Sequence, residues 1–316
     1  MNALNSAFPS ESDRDRAGLP ASARVFLMLQ GPHGPFFDRL GRILRAAEAR
    51  VWRVGFNAGD QFFWRDRDSF IPYAGTPQDW PAALDRLIAD KGVTDIVLYG
   101  DVRPIHAAAR AAAARHGLVL HVFEEGYLRP YWITYERGGS NGHSRLMDIG
   151  LAKMRAALRE RGDEIGRPPA HWGDMRQHRF YGALYHFFVL MANRRYPGFT
   201  PHRDISLWRE FRLNLRGLLL APVHAVQRWR QGRRIRNSGH SFVLVLMQLE
   251  HDSSFLAHSP YRRMSEFTDQ VLDAFADAAP RHHHLVFKAH PLEDGRGDAA
   301  RRIMERAQAL GVADRV

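Results

Sequence analysis

Short apolar runs alternate with amphipathic stretches through the first half of the chain. Arg24 to Gln30 (RVFLMLQ) has a strand-like pattern and stops at the cluster Gly31-Pro32-His33-Gly34-Pro35. Phe36 to Ala49 then places apolar residues at helical spacing, at Phe36, Leu40, Ile43, Leu44 and Ala47. Val51 to Phe56 (VWRVGF) predicts a second strand, Leu84 to Ala89 a helix, and Thr94 to Tyr99 (TDIVLY) a third strand. Pro104 to His116 predicts an Ala-rich helix, and Leu118 to Phe123 (LVLHVF) a fourth strand. Strands alternating with helices imply a parallel α/β layer. Right-handed crossovers then set the strand C-termini along one edge, where open α/β sheets bind ligands. The loops on that edge begin at Gly31, Asn57, Gly100 and Glu124.

The pattern changes between about 150 and 240. Tyr181 to Met191 (YGALYHFFVLM) predicts a helix, and Leu207 to Arg236 one or two helices bent near Pro222. A second α/β pattern follows: a strand at Phe242 to Met247 (FVLVLM), a helix at Arg262 to Ala278, a strand at His284 to Lys288 (HLVFK), and a helix at Arg296 to Leu310. Another strand is expected to begin at Asp314-Arg315-Val316. The expected organisation is a leader over 1–23, an N-terminal Rossmann-like domain over 24–150, an Arg-rich helical connection over 151–240, and a partial C-terminal Rossmann-like domain over 241–316. The second domain is expected to be C-terminally incomplete, because a Rossmann-like domain needs roughly twice its two strand–helix pairs to cover the sheet. The alternative is a single sheet interrupted by a long helical insertion.

Composition narrows the classes. A chain of 316 residues with 45% apolar content can build two cores. It has no cysteine, which removes disulfides, Cys-ligated zinc, iron–sulfur clusters and Cys nucleophiles. Residues 1–23 are polar and lack a secretory pattern, so they read as a disordered leader. Apolar runs are too short to span a bilayer, which confines any membrane contact to the surface. The net charge of +11 favours an anionic partner. A GC-rich coding sequence would produce the same overall bias, so local Arg clusters are the more informative sign. The densest lies in 207–236, where Leu207, Trp208, Phe211, Leu218 and Trp229 mix with Arg228, Arg230, Arg233, Arg234 and Arg236. It reads as an interfacial membrane helix or as a packed connector whose Arg heads snorkel to water. No RNA- or DNA-binding motif accompanies the charge.

Candidate chemistry sits in the loops after strands. Gln30, Gly31 and Gly34 join a strand to a helix, where small residues let an anion approach backbone N–H groups; a stiff turn would look the same. Asn57 and Asp60 follow the second strand and offer either a contact to a substrate hydroxyl or Asx turns. Glu124 and Glu125 end the fourth strand. Their side chains point to opposite sides, so one at most faces the cleft, as a general base or in a salt bridge. Gln248-Leu249-Glu250-His251-Asp252 follows the first strand of the second unit, with Glu250 and Asp252 on one side if the backbone stays extended. Ser259 and Pro260 form a plausible N-cap and first helical position. Lys288 and His290 follow the next strand and suit phosphate binding. The His spacing matches no common zinc motif, and Asp66-Arg67-Asp68 reads as a solvated turn, so neither a metal nor a cofactor is expected.

Together, LQGPHGPFF, GFNAGD, EEGYLRPYWIT, QLEHDSSFLAHSPYRRMSEF and LVFKAHPLEDG resemble, in that order, the KpsS/LipB-type capsular polysaccharide biosynthesis and export proteins. The resemblance runs from about Arg24 to Val316. It implies a GT-B-like pair of Rossmann-like domains and a retaining transfer of β-Kdo from CMP-Kdo to a phosphatidylglycerol-type lipid. The acceptor domain would lie N-terminally and the donor domain C-terminally. It implies that His290 and Pro291 form a nucleotide-binding His-Pro motif, that Asp252 is the nucleophile of a Gln-x-x-x-Asp segment beginning at Gln248, and that Glu125 is the acceptor base. The family's lysine–histidine–histidine–proline run is here Lys288-Ala289-His290-Pro291, one imidazole short. The implied place of work is cytoplasmic, peripheral at the inner face of the anionic inner membrane, with other capsule assembly and export proteins as further partners. The rival readings are a non-catalytic scaffold of the export machinery and a nucleic-acid binder, the latter without a supporting motif.

Overall fold

The computed structural model describes residues 19–126, 132–161, 175–199, 207–250, 252–290 and 298–316. The chain divides into two compact units, Met1–Thr200 and Pro201–Val316.

The first unit is built on a six-stranded sheet. Its strands are β1 (Val25–Met28), β2 (Arg50–Gly55), β3 (Phe70–Pro72), β4 (Asp95–Tyr99), β5 (Val119–Glu125) and β6 (Ile133–Arg137), in the order β3-β2-β1-β4-β5-β6. β1 to β5 run parallel, and β6 returns antiparallel along β5. The central strand VFLM is buried at every position, as a parallel strand covered on both faces should be. One face carries Leu27, Leu29, Val54, Ile96, Leu98, Leu120 and Val122 against Trp80, Leu84, Ile88, Ala109 and Ala112. The other carries Phe26, Met28, Val51 and Val97 against Phe37 and Trp64, with Phe123 packed alongside. Each of these large side chains contributes about 1.5–3 kcal/mol by leaving water.

The helices between the strands are α1 (Phe36–Ala46), α2 (Ala58–Phe62), α3 (Trp80–Lys91) and α4 (Pro104–His116). α3 and α4 both have Pro in their opening positions and end at glycines in the left-handed region, Gly92 and Gly117. The chain continues through α5 (Leu151–Arg161) and α6 (Met175–Ala192). α6 lies along α2 so closely that a Cβ on Gly59 would stand 2.6 Å from the Tyr185 ring.

The second unit holds a long helix α7 (Leu207–Asn237), then β7 (Ser241–Leu246), α8 (Ser253–His258), α9 (Met264–Ala278), β8 (His283–Lys288) and α10 (Ala299–Ala309). β7 and β8 form a separate parallel two-stranded sheet, so these elements do not extend the first sheet. Their core is Val245, Met247, Leu272, Phe275, Leu285, Ile303 and Ala307. Phe242, Val243, Leu244 and Leu246 on β7 remain about half exposed.

α7 is one helix with Pro222 inside it, one of the two expected forms. Three local expectations change. α9 starts at Met264 rather than Arg262, and Ser259 closes α8 instead of opening α9. Ala313–Arg315 turns as a 3-10 helix rather than beginning a strand. β3 and β6 join the sheet although neither has a strong local strand signal.

Candidate functional site

β2 and β3 lie on one side of β1, and β4 and β5 on the other. The crevice beyond the C-terminal ends of β1 and β4 is therefore the switch point of the sheet. A buried polar network fills that edge. Its centre is the Tyr185 hydroxyl, which α6 delivers. That hydroxyl accepts from Asn57 Nδ2 at 2.6 Å and from Gln30 Nε2 at 3.1 Å, and donates to Asp60 Oδ1 at 3.3 Å. Asp60 also accepts from Arg53 Nη2 at 3.2 Å and from the Phe56 N–H at 3.1 Å. Asn57 caps α2, its side-chain oxygen accepting from the Asp60 N–H at 2.9 Å. Arg103, at the start of α4, donates to Gln30 Oε1 at 3.2 Å.

These groups titrate as a buried set. Burial pushes the Asp60 carboxyl above its usual range, while Arg53 and the Phe56 N–H pull it back. Burial lowers both the Arg53 and Arg103 guanidinium pKa values, with Asp60 opposing in each case. Burial also raises the Tyr185 phenol, which keeps its proton for Asp60. Of the first-unit candidates, Gln30, Asn57 and Asp60 thus converge on one network. The Asn57–Asp60 pair adopts the Asx-type cap, and both side chains are spent on internal bonds. Gly31 and Gly34 belong to the same loop. Gly34 has φ +112°, and a Cβ there would press on the Tyr181 ring at 3.0 Å. His33, between them, stacks on Tyr185 at 4.3 Å.

Glu124 and Glu125 leave opposite faces of β5, as the strand alternation requires. Glu124 follows Leu120 and Val122 on the α3–α4 face, accepts from Asn141 Nδ2 at 2.6 Å and lies in the field of Arg103. Glu125 follows His121 and Phe123 on the other face and pairs in register with Ile133. Tyr127 to Tyr131 of the same motif lie outside the described residues. Asp101, after β4, is buried and accepts from the Ser140 N–H at 3.1 Å, tying the switch-point loop to the segment after β6. Asp66 is engaged by Ser69 Oγ at 2.7 Å and by Arg45 at 2.9 Å.

In the second unit, Gln248 and Asp252 follow β7, Lys288 ends the adjacent parallel strand β8, and His290 follows it. Leu246 is in register with Lys288, and the Met247 N–H donates to the Lys288 carbonyl at 2.9 Å. Asp252 is exposed and caps α8, its Oδ1 accepting from the Ser254 N–H at 2.7 Å. The backbone turns here, with the Asp252 N–H donating to the Leu249 carbonyl, so it is not extended through Glu250 and Asp252. Glu250 instead accepts from the Met264 N–H at 2.9 Å, at the start of α9. A cavity of about 980 Å³ includes Gln248, Glu250, Arg262, Arg263 and Arg302 in its lining. Pro291 and His251 lie outside the described residues.

The capsule polysaccharide biosynthesis protein family matches residues 94–316, from the residue before β4 through the whole second unit. The chain belongs to this family. Within the capsule family's matched stretch lie Arg103, Glu124, Glu125, Tyr185, Gln248, Asp252, Lys288 and His290, whereas Gln30, Gly31, Gly34, Asn57 and Asp60 precede it. The capsule polysaccharide export protein KpsS of Escherichia coli is 29% identical over 298 residues, covering 93% of this chain and 75% of KpsS. The capsule polysaccharide modification protein LipB of Neisseria meningitidis serogroup A is 29% identical over 281 residues, covering 87% of this chain and 66% of LipB. The chain therefore spans about two thirds to three quarters of the length of these relatives. A solved structure titled S. aureus MnaA-UDP co-structure aligns over 92% of this chain and 67% of its own at 12% identity and a TM-score of 0.25. The α/β character of this capsule-family chain rests on its own sheets and not on that likeness.

Missed by sequence reasoning were Tyr185 and Arg103. Tyr185 sits in the Tyr181 to Met191 stretch, from which the sequence yielded a helix and no polar role. Arg103 carried a usable signal: it directly precedes the Pro that opens a helix, at the switch-point strand end.

Proposed function

We propose that this capsule-family protein is a retaining glycosyltransferase with GT-B-like paired Rossmann-like domains. It moves β-Kdo from CMP-Kdo to a phosphatidylglycerol-type lipid at the cytoplasmic face of the inner membrane. One observation carries the proposal: in a chain of this family, Gln248 and Asp252 after β7, Lys288 at the end of β8 and His290 just beyond it share the C-terminal edge of one parallel sheet. A nucleophile and a phosphate-binding pair on one edge suit a glycosyl donor whose leaving group is a nucleotide.

In the proposed double displacement the Asp252 carboxylate attacks the anomeric carbon of Kdo. The bond to the CMP phosphate breaks and CMP leaves with the electron pair. Lys288 and His290, with Pro291 completing the motif, stabilise the charge that grows on the phosphate. Glu125 then takes the proton of the acceptor hydroxyl as that oxygen displaces Asp252 from the sugar. The scheme uses no metal and no cofactor. The name of KpsS, an export protein, supports the second reading, a non-catalytic partner of the export machinery.

The test is incubation of the chain with CMP-Kdo and phosphatidylglycerol, followed by mass spectrometry of the lipid. The expected result is a Kdo-bearing product with the wild type and none with Asp252→Asn or His290→Ala. Absence of product from the folded protein, or undiminished product from Asp252→Asn, sinks the transferase scheme.

A further inference from the structure

α6 has two contrasting faces. Its inner face is anchored: Tyr185 enters the buried network, Tyr181 meets Phe63 edge-on at 5.7 Å, and Phe188 stacks on Phe62 at 3.9 Å. Its outer face is apolar and exposed. Phe180, Phe187, Leu190 and Met191 are 62%, 53%, 54% and 70% exposed. At 3.6 residues per turn these positions share one side of the helix, away from Tyr181, Tyr185 and Phe188. Contiguous exposed apolar side chains of this size mark an interaction surface.

Charge says what the surface meets. From Met175 to Phe199 the sequence contains no Asp or Glu, and Arg194 and Arg195 stand exposed just beyond the helix. A symmetric contact with a second copy would bring these cations together. An anionic surface with an apolar interior satisfies both halves of the pattern. No described helix is long and apolar enough to cross a membrane, so α6 would lie along the bilayer rather than through it.

We propose that the outer face of α6 is a membrane-docking surface, with Phe180, Phe187, Leu190 and Met191 entering the headgroup boundary of an anionic bilayer and Arg194 and Arg195 meeting its phosphates. The proposal deepens the membrane-surface reading above and rests on it for the lipid partner. The rigid inner contacts hold the stripe in place, so little ordering is needed on docking.

The test is sedimentation of the full chain with vesicles of phosphatidylglycerol and phosphatidylcholine, or of phosphatidylcholine alone. Wild type should bind the anionic vesicles at least about tenfold more strongly, and salt should weaken the binding. Phe187→Ser with Leu190→Ser should lower the partition coefficient about tenfold or more, with an unchanged circular dichroism spectrum because both side chains are exposed. Arg194→Gln with Arg195→Gln should lower the binding and flatten its salt dependence. A stripe variant that binds like the wild type overturns the assignment. Loss only on changing Arg230, Arg233, Arg234 and Arg236 to Gln also overturns it, while leaving a membrane role for α7. Failure of the wild type to bind either vesicle overturns both. A stripe variant that dissolves a dimer in sedimentation velocity while keeping its vesicle binding assigns the face to a second copy and overturns the proposal.

Discussion

Removing one oxygen, in Tyr185→Phe, tests whether the buried network holds the first unit together. The ring stays, with its 4.3 Å stack on His33. The hydroxyl goes, and with it the acceptor for Asn57 Nδ2 and Gln30 Nε2 and one donor to Asp60. Gln30, Asn57 and Asp60 are each at most 5% exposed, so water cannot readily replace the lost partner. A buried polar group left unpaired costs about 1–3 kcal/mol. Asp60 keeps Arg53 and the Phe56 N–H, so the two amide donors dominate and the expected loss is about 2–4 kcal/mol. At about 2–4 °C per kcal/mol, the first unit's thermal transition should fall by roughly 5–15 °C. Calorimetry and urea melts of both proteins measure it. Asp60→Asn should cost more, about 3–5 kcal/mol, because it strands Arg53 in the interior. The double variant should lose less than the sum, with a coupling of about 0.5–3 kcal/mol. A Tyr185→Phe protein within about 0.5 kcal/mol of wild type, or strict additivity with Asp60→Asn, would refute the reasoning.

Three further outcomes follow from other sites. Gly59→Ala should destabilise by about 1–3 kcal/mol in a urea melt, because its Cβ meets the Tyr185 ring at 2.6 Å; an unchanged midpoint would mean that α6 shifts freely. Burial holds the His121 imidazole below its usual pKa, and the hydrogen bonds from His121 and Arg24 outweigh burial to lower Asp95. Both contributions are present above the unfolded pKa values and are lost as pH falls through the folded ones, so stability should decline from about pH 6.5 downward. His121→Gln should flatten the upper part of that decline in urea midpoints measured against pH, and an unaltered slope contradicts the assignment. Asp252→Asn keeps an α8 cap and should leave stability within about 0.5 kcal/mol, whereas Asp252→Ala should cost about 1 kcal/mol. Both should reduce transfer by about a thousandfold or more in the product assay, which separates capping from chemistry.

The parallel layer was legible because its strands carry continuous apolar runs, VFLM and the IVLY that follows Asp95, which need no partner to be recognised. Pro104 and Gly117 likewise bracket α4 by local backbone preference alone. Family membership was legible too, from five motifs in order, and the family match supports it. Edge strands were not. Phe70–Pro72 is three residues long and is a strand only because β2 offers it a register. Ile133–Arg137 is half-polar and becomes β6 only through its pairing with β5. Alternation alone set Glu124 and Glu125 on opposite faces, but only the packing revealed that Glu124 bonds Asn141 and lies in the field of Arg103. The Tyr185 network lies furthest from sequence reasoning. Its hydroxyl joins side chains 125 to 155 positions earlier, and no local periodicity encodes that meeting. Short-range patterns decide which elements exist, because they depend on neighbours within one turn or one strand. Which buried polar groups pair is decided when distant elements close on each other and exclude water, and only the tertiary structure contains that step.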